Sequence, residues 1–135
     1  MPVIVWKDEY SVGVDVLDQG HQKLIAMINE LYLAMMKDRG QALVNTIIAE
    51  MIEYAKDHMT LEESYMHQAN YLGLLQHRRE HEDFISKAND LKQRSEEGEF
   101  VLSFEVIQFL SDWLNDHILE TDMKYVPTFK EKGIR

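Results

Sequence analysis

The sequence predicts an all-α fold, an antiparallel up-down-up-down four-helix bundle with an extended N-terminal arm, and three observations support it. Four separate segments repeat apolar residues at i, i+3, i+4 and i+7, the period at which one face of an α-helix is buried. The stretches between them are short, so each helix must double back beside the one before it. No internal repeat or low-complexity tract points to another architecture. At 135 residues the chain is one domain's worth, residues 1–135, long enough to bury a core without disulfides.

Residues 1–18 carry Pro2, Gly13 and alternating Val and Ile, which suits an extended arm that Trp6 is expected to pin to the body. Asp15 or Asp18 is the expected N-cap of the first helix, whose stripe reads His21, Leu24, Ile25, Ile28, Leu31, Tyr32 and Met35. Asp38, Arg39 and Gly40 supply the stop. The second helix, from about Ala42 to Met66, aligns Val44, Ile47, Ile48, Met51, Tyr54, Ala55, His58, Leu61 and Tyr65, with Glu62 on the same face. Residues 68–73 form a turn. The third helix, from about Leu72, carries Leu74, His77, His81, Phe84, Ile85, Ala88 and Leu91, and ends in the polar stretch 93–99. Ser103 is the expected N-cap of the fourth, which carries Val106, Ile107, Leu110, Trp113, Leu114, His117, Ile118 and Thr121 until Pro127 stops it.

Composition removes several function classes. The chain has no cysteine, so thiolate ligands and thiol catalysis are excluded, leaving imidazole and carboxylate as the strong ligands. A formal charge of −10 argues against nucleic acid or an anionic membrane as partner, since both require a basic footprint. The first ten residues lack the basic start and long apolar run of a signal peptide, and no later segment is long enough to span a membrane, so a soluble cytoplasmic protein is expected. No protein partner is legible.

The histidines carry the chemistry. His58/Glu62 and His77/His81 are i, i+4 pairs, about 40° apart on a helix, so each pair shares one face. Antiparallel packing then brings them together: His21 lies near the start of the first helix, His58 near the end of the second, His77 and His81 near the start of the third, and His117 late in the fourth. A single buried histidine is ordinarily a core residue bonded to a neighbour. Five of them converging with a glutamate would carry a large desolvation cost that a metal removes by taking up their lone pairs. His67, roughly half a turn from His58, is expected at the surface, and the eight methionines read as core filling. Five imidazoles and a carboxylate exceed what one tetrahedral zinc needs, so two octahedral-preferring ions fit, iron first and manganese second. The carboxylate-rich di-iron plan built on Glu-x-x-His is absent, since no Glu stands three residues before any His.

The segments DQGH at 18–21, HMTLE at 58–62, HRREH at 77–81 and HILETD at 117–122 together resemble the hemerythrin family, in its bacterial single-domain form, over essentially the whole chain. The resemblance implies a non-heme centre of two iron ions bridged by an oxo or hydroxo group and by the carboxylates of Glu62 and Asp122. It places His77, His81 and His117 on one iron and His21 and His58 on the other. That second iron keeps an open position for dioxygen. By helical position Leu24, Ile28, Met59, Trp113 and Ile118 would wall a dry pocket there. The implied function is reversible dioxygen binding for storage, delivery or sensing, without enzymatic turnover; the alternative is a di-iron redox enzyme handling peroxide or nitric oxide in the same site. Two residues depart from the usual pattern: Gly20, where bacterial members often have Gln, and Leu72, where many have Pro. Spacing alone does not choose Asp122, which stands about 140° from His117 on an ideal helix while Glu120 stays within about 60°. The resemblance favours Asp122, which implies a π-bulge or local unwinding between His117 and Asp122 that returns the carboxylate to the site.

Overall fold

The first helix, α1 (Asp15–Met36), buries Leu17, Gly20, His21, Leu24, Ile25, Ile28, Leu31 and Ala34, one continuous stripe. The computed structural model describes residues 4–37, 41–97 and 104–135, and α1 is followed by α2 (Gln41–Gln68), α3 (Leu74–Glu96) and α4 (Phe104–Asp116). These four pack as the expected bundle. The expected helix stop at residues 38–40, the end of the polar stretch at 98–99 and the Ser103 cap lie outside the described residues.

The arm is shorter than expected. Helix α1 already begins at Asp15, and its N-cap is Val14, which offers no side-chain cap. Asp18 does not cap the helix in the ordinary sense: it reaches back to accept from Ser11 Oγ at 2.6 Å and Val12 N at 2.9 Å, fixing the arm to the first turn. Gly13, at φ 79°, supplies the left-handed residue the bend requires. Trp6 is half-buried against the main core, but the firmer anchors are Tyr10, whose hydroxyl donates to Asn115 Oδ1 at 2.5 Å, and Ile4, whose backbone exchanges two hydrogen bonds with Asn29.

In α2 the buried face runs through Val44, Ile47, Ile48, Met51, Ile52, Ala55, His58, Met59, Glu62 and Met66. Leu61 and Tyr65 fall short of the expected burial, Leu61 being exposed and Tyr65 intermediate, while Met66 is fully enclosed. The stripe advances by fours from Ala55 to Met59 and from Glu62 to Met66, which leaves Leu61 on its outer edge. Helix α2 then stops in a reciprocal cap. Asn70 adopts φ 55°, Tyr71 N donates to Met66 O at 3.0 Å and Asn70 N to His67 O at 3.1 Å, the double closure that ends helices at a left-handed residue. The chain reverses here without a proline, and Leu72 is fully exposed.

After Asp116 the helical course does not end. Residues His117–Thr121 form a π-turn, Asp122–Tyr125 tighten into a 3-10 turn, and a short helix α5 (Val126–Glu131) follows. Pro127 therefore opens α5 instead of stopping α4. In the first turn of a helix its missing N–H has no intrahelical acceptor to lose.

Apolar burial divides in two. The larger cluster lies between the four helices. A smaller one, formed by Val12, Val14, Leu17, Met66, Ala69, Tyr125 and Phe129, closes the bundle end where the histidines lie. Among the described residues no helix is long and apolar enough to cross a membrane.

Phe129 is fully enclosed in that end cluster, stacked on Tyr125 at 4.3 Å. Phe129→Ala is expected to cost about 3–5 kcal/mol in urea denaturation. The exposed control His67→Ala should stay within about 0.5 kcal/mol. Equal effects would contradict the closing role of the cluster.

Candidate metal centre

Three helices, the π-turn and the residue after it bring seven ionisable side chains to one buried point. His21 comes from α1, His58 and Glu62 from α2, His77 and His81 from α3, His117 from the start of the π-turn and Asp122 from the residue directly after it; each is at most 6% exposed. Their donor atoms form two groups, Glu62/His77/His81/His117/Asp122 and His21/His58/Glu62, each with its atoms within 4.8 Å of one another. His67 is exposed. The π-turn inserts the extra residue that carries Asp122 inward, while Glu120 faces solvent.

In the first group His77 Nε2 lies 2.9 Å from Glu62 Oε1 and 3.0 Å from Asp122 Oδ1, His81 Nε2 lies 3.0 Å from Glu62 Oε1, and His117 Nε2 lies 3.1 Å from Asp122 Oδ1. His81 Nε2 and His117 Nε2 stand 3.1 Å apart. Neighbouring donors around an octahedral ion at about 2.1 Å are separated by about 3.0 Å, and around a tetrahedral one by about 3.4 Å. The spacing suits six-coordination as well as hydrogen bonds between the same atoms. The second group is looser: His21 Nε2 lies 3.1 Å from Asp122 Oδ2 and 3.5 Å from Glu62 Oε2, and His58 Nε2 lies 4.0 Å from Glu62 Oε2.

Hydrogen bonding from outside turns two of these nitrogens inward, while Nδ1 of His21 and of His77 is buried without a hydrogen-bond partner. His81 Nδ1 donates to Glu63 Oε2 at 2.8 Å and His117 Nδ1 to Glu80 Oε1 at 3.3 Å, with Thr121 Oγ1 also donating to Glu80. Each Nε2 lone pair is then directed into the cluster, the arrangement a metal-binding histidine takes. Tyr125 donates its hydroxyl to Glu62 Oε2 at 2.8 Å. His58 Nε2 and both oxygens of Asp122 are buried without a directed hydrogen bond. Orphaned lone pairs facing a common point fit a bound cation.

Charge is shared unevenly. Burial alone would lower the pKa of His21, but Asp122 and Glu62 outweigh it and raise it to about 10; the same balance lifts His77 to about 9 and moves His81 upward. Burial and the neighbouring His21 push His58 down to about 4. Burial opposes charge on Glu62 and Asp122 as well, yet the surrounding imidazoles hold both below the usual carboxylate range.

The five expected pocket residues all belong to the main core, Leu24, Ile28, Met59 and Ile118 buried within it and Trp113 packed on its edge. Trp113 stacks on His117 at 4.5 Å and on Phe84 at 4.3 Å, beside the three-histidine group. Glu63, Glu80 and Tyr125 escaped the sequence reading. Tyr125 had a signal, three residues after Asp122, where side chains of a 3-10 turn eclipse. Gly20 acquires a reason. A Cβ there would stand 2.0 Å from His58 Nδ1, so the imidazole occupies the room a side chain would need.

The chain matches the family model described as the Hemerythrin HHE cation binding domain over residues 12–129. It is 35% identical over 130 residues to a bacteriohemerythrin of Stenotrophomonas maltophilia (strain R551-3), covering 96% of this chain and 84% of that one. To a bacteriohemerythrin of Clostridium acetobutylicum it is 32% identical over 130 residues, covering 92% of this chain and 99% of that one. A wild-type hemerythrin crystal structure shares the fold at a TM-score of 0.86 and 24% identity, covering 93% of this chain and 97% of that one.

Two outcomes follow from this geometry. With pKa values of about 10 and 9, His21 and His77 hold protons at pH 7 in the metal-free chain, so loading a divalent cation should release protons, and affinity should keep climbing as pH rises toward that range. Because those values are raised in the fold, their contribution to metal-free stability is complete below about 6.5 and lost as pH rises through about 9 to 10, whereas His58, lowered to about 4, takes stability away below about 6.5. A pH-indicator titration and metal-free thermal melts measure both; metal uptake at pH 7 without proton release would contradict the balance. Gly20→Ala should displace His58 and lower the metal content by about half while the helical circular dichroism persists, and unchanged metal content would show that His58 has other room.

Proposed function

Because this chain belongs to the hemerythrin family, we propose that it binds dioxygen reversibly at a non-heme centre of two iron ions, as an oxygen-binding protein and not as an enzyme. The observation that carries the reading is the sharing of Glu62 and Asp122 between two groups that hold unequal numbers of imidazoles. Glu62 turns Oε1 toward His77 and His81 and Oε2 toward His21 and His58, and Asp122 turns Oδ1 toward His77 and His117 and Oδ2 toward His21. Each carboxylate thus offers one oxygen to each group, as a bridge does. One group would draw three imidazoles and the other two, and His21 and His58 would hold the ion with fewer protein donors.

Iron supplies the electrons that reversible oxygen binding draws on; the chain supplies the rest. Five imidazoles and two carboxylates suit iron, and nothing sulfur-bearing competes among them. Ile118 and Leu24 are buried in the core that surrounds the centre and help exclude water. Tyr125, whose burial and carboxylate neighbours raise its pKa well above the usual phenol range, stays protonated and holds Glu62 by its donated hydrogen bond. Glu63 and Glu80 hold two imidazoles in register.

Anaerobic loading with ferrous iron should give about two ions per chain and, on admitting oxygen, an absorbing species that persists and is reversed by removing oxygen, whereas His77→Ala should lose at least half of the iron. Rapid oxidation with turnover of added peroxide or nitric oxide, and no persistent oxygenated form, would favour the redox-enzyme reading instead.

A further inference from the structure

A cleft of about 480 Å³ lies between α2 and α3, and two of the residues lining it also belong to the interior: His81 and Met59. His81 presents its Nδ1 side to Glu63 and its Nε2 to the donor cluster, 3.0 Å from Glu62 Oε1, so the thickness of one imidazole separates the cleft lining from the donor atoms. Met59, 6% exposed, is part of the apolar core that contains Leu24, Ile28 and Ile118. The rest of the lining is amphipathic, with Lys56 and Glu63 on the α2 side and Ile85 and Ser86 on the α3 side.

The two side chains that close the cleft differ in freedom. His81 is fixed, since Nδ1 is held at 2.8 Å by Glu63 and Glu63 is itself held at 3.0 Å by Arg78 Nε. Met59 is an unbranched thioether with three rotatable bonds, able to adopt other rotamers without moving the backbone. We propose that the α2/α3 cleft is the access route by which small apolar molecules reach the buried centre, and that Met59 is the residue that controls passage. For dioxygen as the molecule carried, this rests on the proposed function.

A passage outside the bound state alters association and dissociation together and leaves affinity in place. Ser86 is exposed and lines the cleft without touching the donor set. In the iron-loaded chain Ser86→Trp should therefore slow oxygen association and dissociation by a common factor of about threefold or more, and Met59→Ala should speed association by a similar factor. Rates unchanged in both variants, or a change in dissociation alone, would overturn the route. A second measurement needs neither iron nor oxygen. Xenon, which settles in dry apolar cavities, should occupy the floor of the cleft in pressurised wild-type crystals and advance beyond residue 59 in Met59→Ala. Xenon absent from the cleft in both would overturn the proposal; xenon present as expected, in a chain that forms no oxygenated species, would sustain the passage and overturn the oxygen-binding reading alone.

Discussion

Seven ionisable side chains meet in a space from which water is excluded, and the rest of the molecule is arranged around the cost of putting them there. Buried carboxylates and imidazoles without strong partners destabilise a fold by several kcal/mol each. Here the histidines and carboxylates partly offset one another, with His21 and His77 drawn toward protonation and Glu62 and Asp122 held ionised. The offset is incomplete: His81 and His117 point nitrogen at nitrogen, and Asp122 has two oxygens with no directed bond. A cation resolves what hydrogen bonds leave unresolved. The same centre ties helices together, since α1, α2, α3 and the π-turn each contribute a donor.

Several local features make sense only in relation to that point. The π-turn at His117–Thr121 gives up regular helix geometry so that Asp122 faces inward. Gly20 gives up a side chain so that His58 can lie against α1. The end cluster of Tyr125, Phe129, Met66 and Leu17 covers the centre from the side where the helices terminate, and Tyr125 serves both roles, core residue and donor to Glu62. These are places where local preference yields to the site, which is where such exceptions concentrate in folded proteins.

The stripes of apolar residues and the alternation of helix direction made the bundle legible in the sequence, and placing His21, His58, His77, His81 and His117 at one end needed nothing more. Asp122 was legible only through the family resemblance, because ideal helical spacing favours Glu120. The turn chemistry was harder. Asp18 looked like a cap by residue type, yet it bonds backward to Ser11 and Val12, a choice set by the path of the arm. Pro127 looked like a stop, yet it begins a turn, because proline is excluded from the body of a helix and not from its first residues. Glu63 and Glu80, both half-buried, could not be told in the sequence from the exposed acids, since their role depends on which face of a neighbouring helix they meet.

In the proposed centre Glu62 and Asp122 would each bridge two metal ions that hold unequal numbers of imidazoles. Anomalous diffraction at the iron edge, from crystals of the iron-loaded chain, tests it most directly. Two peaks are predicted between the carboxylates, one within bonding distance of His77, His81 and His117, the other of His21 and His58 alone. A single peak, or a second one bound away from Glu62 and Asp122, would contradict the account.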